Sequence, residues 1–268
     1  MRSSNAGKGS LFYSIIVFVI VIFLSFVPVK KQSRIHLLFF GDTENSDISQ
    51  NISAEKDLFE ERIPVLLENK SGLQVLVYFF CGKDFNREKV DSINQLFNSN
   101  EDDIILFYYS GHGSNDSLSS FPRLAIRKQN GARKNKYLHE IYDELKHKPH
   151  RLLVVAGEAC NTHSRSRSAQ CFEKNFRDSL LAPIANNEKG TNFLITSSKQ
   201  GQDSYACRGE AGYFTLALLD VLNEVDSLRG SAIPDYLEMW MEKTKYRAAS
   251  VSDEAGKRLQ EPFWVSER

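Results

Sequence analysis

The chain has 268 residues, of which 25% are charged and 11% are aromatic, a composition that excludes a disordered or collagen-like protein. Its length allows one α/β domain or two small ones. The formal net charge is zero, but residues 1–34 contain five basic residues and no acid, which leaves residues 35–268 with a net charge of −5. An acidic globular part argues against nucleic acid as a partner, because phosphate binding requires clustered cations.

Residues 11–29 form an uncharged apolar run of 19 residues near the N-terminus. A helix of that length nearly spans the roughly 30 Å hydrocarbon core of a bilayer. The alternative is a cleaved signal peptide that leaves a secreted protein, with Arg2 and Lys8 in its basic region. The run exceeds the usual apolar stretch of about 7–15 residues in a signal peptide, and no A-x-A-like cleavage site follows it. The sequence therefore favours a single-pass membrane anchor in an N-terminal tail of residues 1–32, with its orientation open.

After the tail, residues 33–268 alternate between short apolar runs and amphipathic segments. Near-continuous apolar strands separated by helices predict an α/β protein, in which a mainly parallel sheet of about six strands carries helices on both faces. Pro64 is expected to kink or split the first of these helices. Residues 161–190 form the longest polar connection and are predicted to be exposed and flexible. In chain order the predicted elements are a strand at Ile35–Phe40, a helix over 52–70, a strand at Leu73–Phe80, a helix over 86–99, strands at Ile104–Tyr109, Arg151–Ala156 and Asn192–Thr196, and helices near 213–224 and 232–246.

Two of the predicted strands end in reactive groups. The third is followed by His112 and Gly113, and the fourth by Glu158 and Cys160. The carboxyl ends of parallel strands share one edge of a sheet, so neighbouring strands would bring this His and Cys together. An imidazole can deprotonate a thiol and later protonate a leaving amine. Gly113 permits a close backbone approach, so the N–H groups of Gly113 and Cys160 could polarise a substrate carbonyl.

These two motifs resemble those of the caspase–metacaspase superfamily of cysteine peptidases. The chain has Tyr-Tyr-Ser-Gly-His-Gly at 108–113 and Glu-Ala-Cys-Asn at 158–161, with the Cys 48 residues after the His. The resemblance extends over about residues 33–268 and includes Ser-Ser at 197–198, Gly-Tyr-Phe-Thr at 212–215 and Gln-Glu-Pro at 260–262. It implies a caspase-like α/β/α sandwich, a His112–Cys160 dyad, an oxyanion hole from the amides of Gly113 and Cys160, and cleavage of protein or peptide substrates.

The nucleophile motif departs from both branches of the superfamily. Metacaspases usually have Asp-x-Cys-His-Ser and caspases Gln-Ala-Cys-x-Gly, whereas this chain has Glu-Ala-Cys-Asn-Thr at 158–162. The subfamily and calcium dependence therefore stay open, and no cofactor is expected because no calcium motif is present. A metal site is not expected either: Cys160 and His163 have the spacing of a ligand pair, but no further ligand cluster accompanies them.

Cys207 is the rival nucleophile, since Ala-Cys-Arg-Gly at 206–209 superficially matches the caspase pentapeptide. It lies 95 residues after His112, where about 50 are expected, and no apolar strand leads into it. Cys160 is therefore the predicted nucleophile. Four cysteines are too few for a disulfide scaffold, although a bond between Cys171 and Cys207 in an oxidising compartment stays open.

The resemblance also bears on substrate specificity. In this superfamily the residue two before the nucleophile lines the pocket for the side chain that precedes the cut, which is Glu158 here. A carboxylate in a partly desolvated pocket attracts a cation and repels an acid. Asp42, after the first strand, is a candidate partner, and Asp203 is a weaker one. The sequence thus predicts cleavage after Arg or Lys and not after Asp, with an inward-facing Glu158 that pairs with a structural cation as the alternative.

The leading functional hypothesis is a membrane-anchored cysteine endopeptidase. Two alternatives stay open: an inactive caspase-like interaction module, and a hydrolase or transferase that uses the same dyad on a non-peptide acyl group. The basic residues around Gly131, from Arg127 to Lys136, are interpreted as a solvated hairpin or loop.

Overall fold

A computed structural model describes the fold for most of the chain after the N-terminal tail. The predicted membrane segment, residues 11–29, and most of the polar connection at 161–190 lie outside the described residues. Within the described part, none of the helices combines the length and the apolar character that a membrane span requires. The described residues are 32–116, 118–127, 133–162, 191–207, 209–228, 233–250, 252–253, 256–257 and 259–267.

The described strands form one central sheet and two small ones. They are β1 (Arg34–Gly41), β2 (Gln74–Cys81), β3 (Ile104–Ser110), β4 (Gly113–Ser114), β5 (Arg123–Arg127), β6 (Arg133–Tyr137), β7 (Leu152–Glu158), β8 (Thr191–Thr196), β9 (Ser252–Asp253), β10 (Gly256–Lys257) and β11 (Phe263–Glu267). The central sheet has six strands in the order β11-β8-β7-β3-β1-β2, and all neighbours are parallel except β11, which runs antiparallel to β8. The prediction of a mainly parallel sheet of about six strands is confirmed.

The helices differ from their predicted bounds for local chemical reasons. The predicted helix over 52–70 is divided by a π-helical turn at Leu58–Arg62, and Pro64, which has no N–H to donate, lies at the start of the next helix. The predicted helix over 86–99 stops early, because the Ser92 hydroxyl donates to the Glu88 carbonyl and competes with the backbone. The helices are α1 (Ser49–Asp57), α2 (Ile63–Ser71), α3 (Arg87–Asp91), α4 (Leu138–Leu145), α5 (Tyr213–Glu224) and α6 (Ile233–Ser250).

Helices cover both faces of the central sheet, as the sequence predicts. Along β1, Leu37 and Phe39 pack on the face covered by α1, α2, α5 and α6, while Leu38 and Phe40 pack on the face covered by α3 and α4. All four side chains are buried, which is why the run from Leu37 to Phe40 is apolar at every position and does not alternate.

The basic segment near Gly131 differs from the solvated hairpin predicted for it. A hairpin is present, since β5 and β6 pair antiparallel, but Lys136 is buried within it. The Lys136 ammonium lies 3.0 Å from Asp91 of α3 and 2.6 Å from Glu144 of α4. This cation therefore ties the hairpin to two helices.

Replacing Lys136 by Met should destabilise the fold, because two carboxylates would lose a buried partner. The expected loss is about 1–3 kcal/mol, measured by urea unfolding. Lys146→Met is the matched control: the Lys146 side chain is 32% exposed and pairs with Asp143 one turn away, so this substitution should cost about 0–1 kcal/mol. Equal losses in the two variants would contradict a structural role for Lys136.

Candidate active site

The ends of β3 and β7 bring His112 and Cys160 to the same edge of the sheet. The two strands pair in parallel with Ser110 opposite Glu158, so His112 and Cys160 each follow a paired residue by two positions. The strand exits continue side by side: the Gly111 N–H donates to the Glu158 carbonyl at 3.2 Å, and the Asn115 N–H donates to the Thr162 carbonyl at 2.7 Å. The pairing of β3 with β7 is therefore what brings the two predicted residues together.

Gly113 packs directly against the backbone of Cys160. A Cβ atom at Gly113 would lie 2.3 Å from the Cys160 carbonyl oxygen and 2.7 Å from the Ala159 Cβ. It would also lie 3.3 Å from the Cys160 nitrogen, so the backbones of the two proposed oxyanion-hole residues are neighbours. Only glycine fits at this position, because any side chain would separate the two strand exits.

The backbone of His112 is fixed from two sides. Its carbonyl accepts the Ala125 N–H at 3.0 Å and the hydroxyl of the buried Tyr109 at 2.8 Å. The imidazole is half-buried and makes no hydrogen bond with any described residue. Both ring nitrogens thus remain available for proton transfer.

The Cys160 thiol is half-buried and points toward the loop after β8. Its sulfur donates to the Ser204 carbonyl at 3.8 Å. Burial raises the pKa of the Cys160 thiol to about 11, and the nearby Asp203 carboxylate acts in the same direction. The thiol is therefore protonated at neutral pH in this conformation and requires a base to become a nucleophile.

Asn161 holds the segment that carries the nucleophile. Its side chain is fully buried and donates to the carbonyls of Ser120 and Ser198, at 2.8 and 3.1 Å. It also accepts the Asn115 amide at 2.6 Å. A polar residue next to the predicted nucleophile was visible in the sequence, but its positioning role depends on three separate loops and could not be read from spacing.

Glu158 is buried and faces the N-terminus of α5. Its carboxylate accepts the N–H groups of Phe214 and Thr215, at 3.2 and 3.1 Å, as well as the hydroxyls of Thr215 and Tyr108. Burial raises the pKa of Glu158, and these donors oppose the rise. Glu158 thus faces inward, but the groups it accepts from are neutral donors, at the start of α5 and on Tyr108 of β3, and not a structural cation.

A second buried carboxylate, Glu55 of α1, lies beside Glu158 and was missed in the sequence. Its Oε1 accepts the Gly212 N–H at 2.8 Å, and its Oε2 has no hydrogen-bond partner among the described residues. Burial, and after it the charge of Glu158, raises the pKa of Glu55 well above its usual range. One sequence signal was available: Glu55 shares a helix face with the apolar Ile52 and Phe59, where a charged residue is unexpected.

The other predicted pocket residues lie near the same edge in different settings. Asp42 is buried, and its N–H donates to the Ser110 carbonyl at 3.2 Å. Asp203 is exposed and accepts the Thr162 hydroxyl at 3.1 Å. Cys207, the rival nucleophile, lies in the loop between β8 and α5, with its sulfur 3.3 Å from the Tyr213 hydroxyl.

A metal site is not apparent in the described part of the chain, where His, Cys, Asp and Glu nowhere form a group of three or more suited to hold an ion.

The sheet order and the paired strand exits are those of a caspase-like cysteine peptidase fold. The sequence profile of the family described as "Caspase domain" matches residues 60–267, more than three-quarters of the chain, and the chain belongs to that family. Caspase-1 from Spodoptera frugiperda is a similar solved structure, with a TM-score of 0.53 and 15% identity over 88% of this chain and 86% of that one. Protein GSU0716 from Geobacter sulfurreducens has a TM-score of 0.50 and 16% identity over 87% of this chain and 93% of that one. No curated protein sequence matches the chain.

The protonated state of Cys160 leads to a test by alkylation. In the free protein the rate of Cys160 alkylation by iodoacetamide should rise about tenfold per pH unit from pH 7 to pH 10, since only the thiolate reacts. Mass spectrometry of the Cys160 peptide measures the rate, and Cys160→Ala gives the background from the other cysteines. A rate that is already at its plateau near pH 7 would instead indicate a preformed thiolate–imidazolium pair.

Proposed function

We propose that this protein is a cysteine endopeptidase in which Cys160 is the nucleophile and His112 is the general acid–base. The main support for this proposal is the register of β3 and β7, in which Ser110 pairs with Glu158. His112 lies two residues after Ser110, and Cys160 lies two residues after Glu158. Membership of the caspase domain family supports the same reaction class.

In the proposed reaction, substrate binding moves the Cys160 thiol away from the Ser204 carbonyl and toward His112. The imidazole takes the thiol proton, and the sulfur attacks the scissile carbonyl. The N–H groups of Gly113 and Cys160 stabilise the resulting oxyanion. His112 then gives its proton to the leaving amine, and water hydrolyses the thioester.

We further propose that the enzyme cleaves after Arg or Lys. The support is the acidic pair formed by Glu55 and Glu158, to which we assign the pocket for the side chain that precedes the cut, with Asp42 beside it. Two buried carboxyls this close share a proton at neutral pH in the free protein. A guanidinium or ammonium group would replace that proton and pair with Glu55 Oε2, whereas an Asp side chain would be repelled. Asp203 is proposed to act at the outer side of the site, next to Thr162.

Alanine substitutions test the proposed dyad. Cys160→Ala and His112→Ala should each lower hydrolysis of Arg-containing fluorogenic peptides by orders of magnitude, because nucleophile and base act as a unit. Cys207→Ala should keep most of the activity and serves as the cysteine control. An inactive Cys207→Ala together with an active Cys160→Ala would assign the nucleophile to Cys207.

The specificity proposal is tested with Glu55→Gln. Loss of one charged partner should lower kcat/KM for Arg and Lys peptides about 10- to 100-fold. The same substitution should raise the melting temperature, increasingly so as pH rises above about 4.3, the ordinary pKa of a Glu side chain. The reason is that the raised pKa of Glu55 makes its ionisation unfavourable only in the folded state.

Glu61→Gln is the matched control for Glu55→Gln, since Glu61 lies one and a half turns further along and is exposed. It should change neither kcat/KM nor the melting temperature. Preference for Asp peptides in the wild-type enzyme, or unchanged cleavage after Arg in Glu55→Gln, would refute the acidic pocket.

A second candidate function is an inactive caspase-like interaction module. The contact of the Cys160 thiol with the Ser204 carbonyl, together with its pKa of about 11, favours this alternative. Wild-type protein that cleaves no peptide in a panel covering all side chains before the cut, while still folded, would establish it.

We also propose that residues 11–29 anchor the protein in a membrane, supported by the length and lack of charge of this run. The full-length protein should sediment with membranes and resist carbonate extraction, whereas replacing Val19 and Ile22 by Lys should release it. N-terminal sequencing provides the control: a mature N-terminus between residues 25 and 35 would show a cleaved signal peptide instead.

A further inference from the structure

A cavity of about 400 Å³ lies at the end of the sheet opposite the proposed catalytic residues. Residues at the starts of the parallel strands line it, among them Ile35 of β1, Ile104 of β3 and Leu152 of β7. On the other side it is bounded by α2, α5 and α6. The peptidase reaction proposed above uses none of these residues.

The cavity reaches the centre of the sheet, as the burial of alternate residues along β3 and β7 shows. On the cavity side, Ile104, Leu152 and Val154 keep 8–9% of their surface, and Leu106 is only half-buried. Their neighbours on the opposite face, Ile105, Leu153 and Val155, are fully buried, with 0% of their surface accessible to solvent. Central strands of a parallel sheet are normally covered on both faces. This side therefore has an apolar surface that the helices leave partly uncovered.

The walls of the cavity offer almost no hydrogen bonds to a ligand. Leu218 of α5 and Ile233 of α6 are half-buried against it. The hydroxyls of Ser71 and Tyr236 already donate to the carbonyls of Leu67 and Ser227, at 2.6 and 2.7 Å. A ligand body that fits these walls must itself be apolar.

A single cation lines the cavity in the described part of the chain. Arg151, directly before β7, is exposed, and its guanidinium makes no ion pair or hydrogen bond with any described residue. An apolar cavity with one guanidinium that has no partner among the described residues complements a molecule that has a long apolar body and one anionic end. The volume lies near the lower end of the roughly 300–1,000 Å³ typical of small-molecule sites, which favours one chain over a two-chain lipid.

We propose that this cavity binds a long-chain carboxylic acid, with the hydrocarbon chain on the half-covered face of β3 and β7 and the carboxylate on Arg151. The site is independent of the proposed peptidase reaction. It can be present whether or not Cys160 is active.

The test uses the purified full chain in detergent and a palmitic acid analogue with a diazirine near the end of its chain. After irradiation, mass spectrometry should find the label in peptides from β3, β7 or α5, and the labelling should saturate. Unlabelled palmitic acid should compete, and octanoic acid should compete far less, because each buried methylene contributes about fourfold in affinity. Labelling that does not saturate, or that is confined to residues 1–32, would overturn the proposal.

Substitutions distinguish the cavity from general adsorption. Leu218→Trp and Leu106→Phe, which fill the cavity from opposite walls, should each remove the saturable labelling in protein that remains folded by circular dichroism. Leu118→Trp is the matched control, since Leu118 is 84% exposed and lies outside the cavity.

Arg151→Gln should weaken competition by palmitic acid about tenfold and leave competition by hexadecanol unchanged. The proposal would be contradicted if both cavity-filling variants were labelled as strongly as the wild type. It would also be contradicted if Arg151→Gln weakened competition by palmitic acid and by hexadecanol equally.

Discussion

The parallel pairing of β3 with β7 is the constraint on which the candidate active site depends. With Ser110 opposite Glu158, the two strand exits run side by side for several residues, and Gly113 comes close enough to Cys160 that no side chain fits between them. A slip of one residue would exchange the side chains that pack on the two faces of the sheet, so the close packing of both cores also fixes this register. The geometry of the site is thus set by the core and not by the loops that carry its side chains.

The fold stabilises the charges of the two buried carboxylates, Glu158 and Glu55, to different extents. The charge of Glu158 is stabilised within the fold by four hydrogen bonds and the start of α5. Glu55 accepts the Gly212 amide with one oxygen, and burial, followed by the charge of its neighbour Glu158, opposes its ionisation more strongly than nearby donors favour it. A buried acid in that position lowers stability at neutral pH, and packing alone gives no reason for it. Recognition of a substrate cation provides that reason in the account proposed above.

The sequence predicts the parts of this structure that depend on local pattern. The strands β1, β3, β7 and β8 were visible because each has an apolar run that is buried on both faces, and the half-buried edge strand β2 was visible from its own unbroken apolar run. The motifs at two strand ends led to His112 and Cys160. The antiparallel edge strand β11 was not assigned, and the segment that forms β5 and β6 was interpreted only as a solvated hairpin or loop, since neither has a long apolar run. Glu55 and Lys136 were missed for a different reason: each is buried beside residues distant in the sequence, and composition alone makes such residues look solvated.

Covalent labelling with a peptidyl acyloxymethyl ketone that carries Arg next to the warhead tests the central claim most directly. Such a probe reacts with a catalytic thiol and loses its carboxylate, which leaves a stable thioether. The account predicts one label per chain, on Cys160, that is lost in His112→Ala, reduced in Glu55→Gln and not formed by the corresponding Asp probe. A label on Cys207, or labelling by the Asp probe alone, would contradict it.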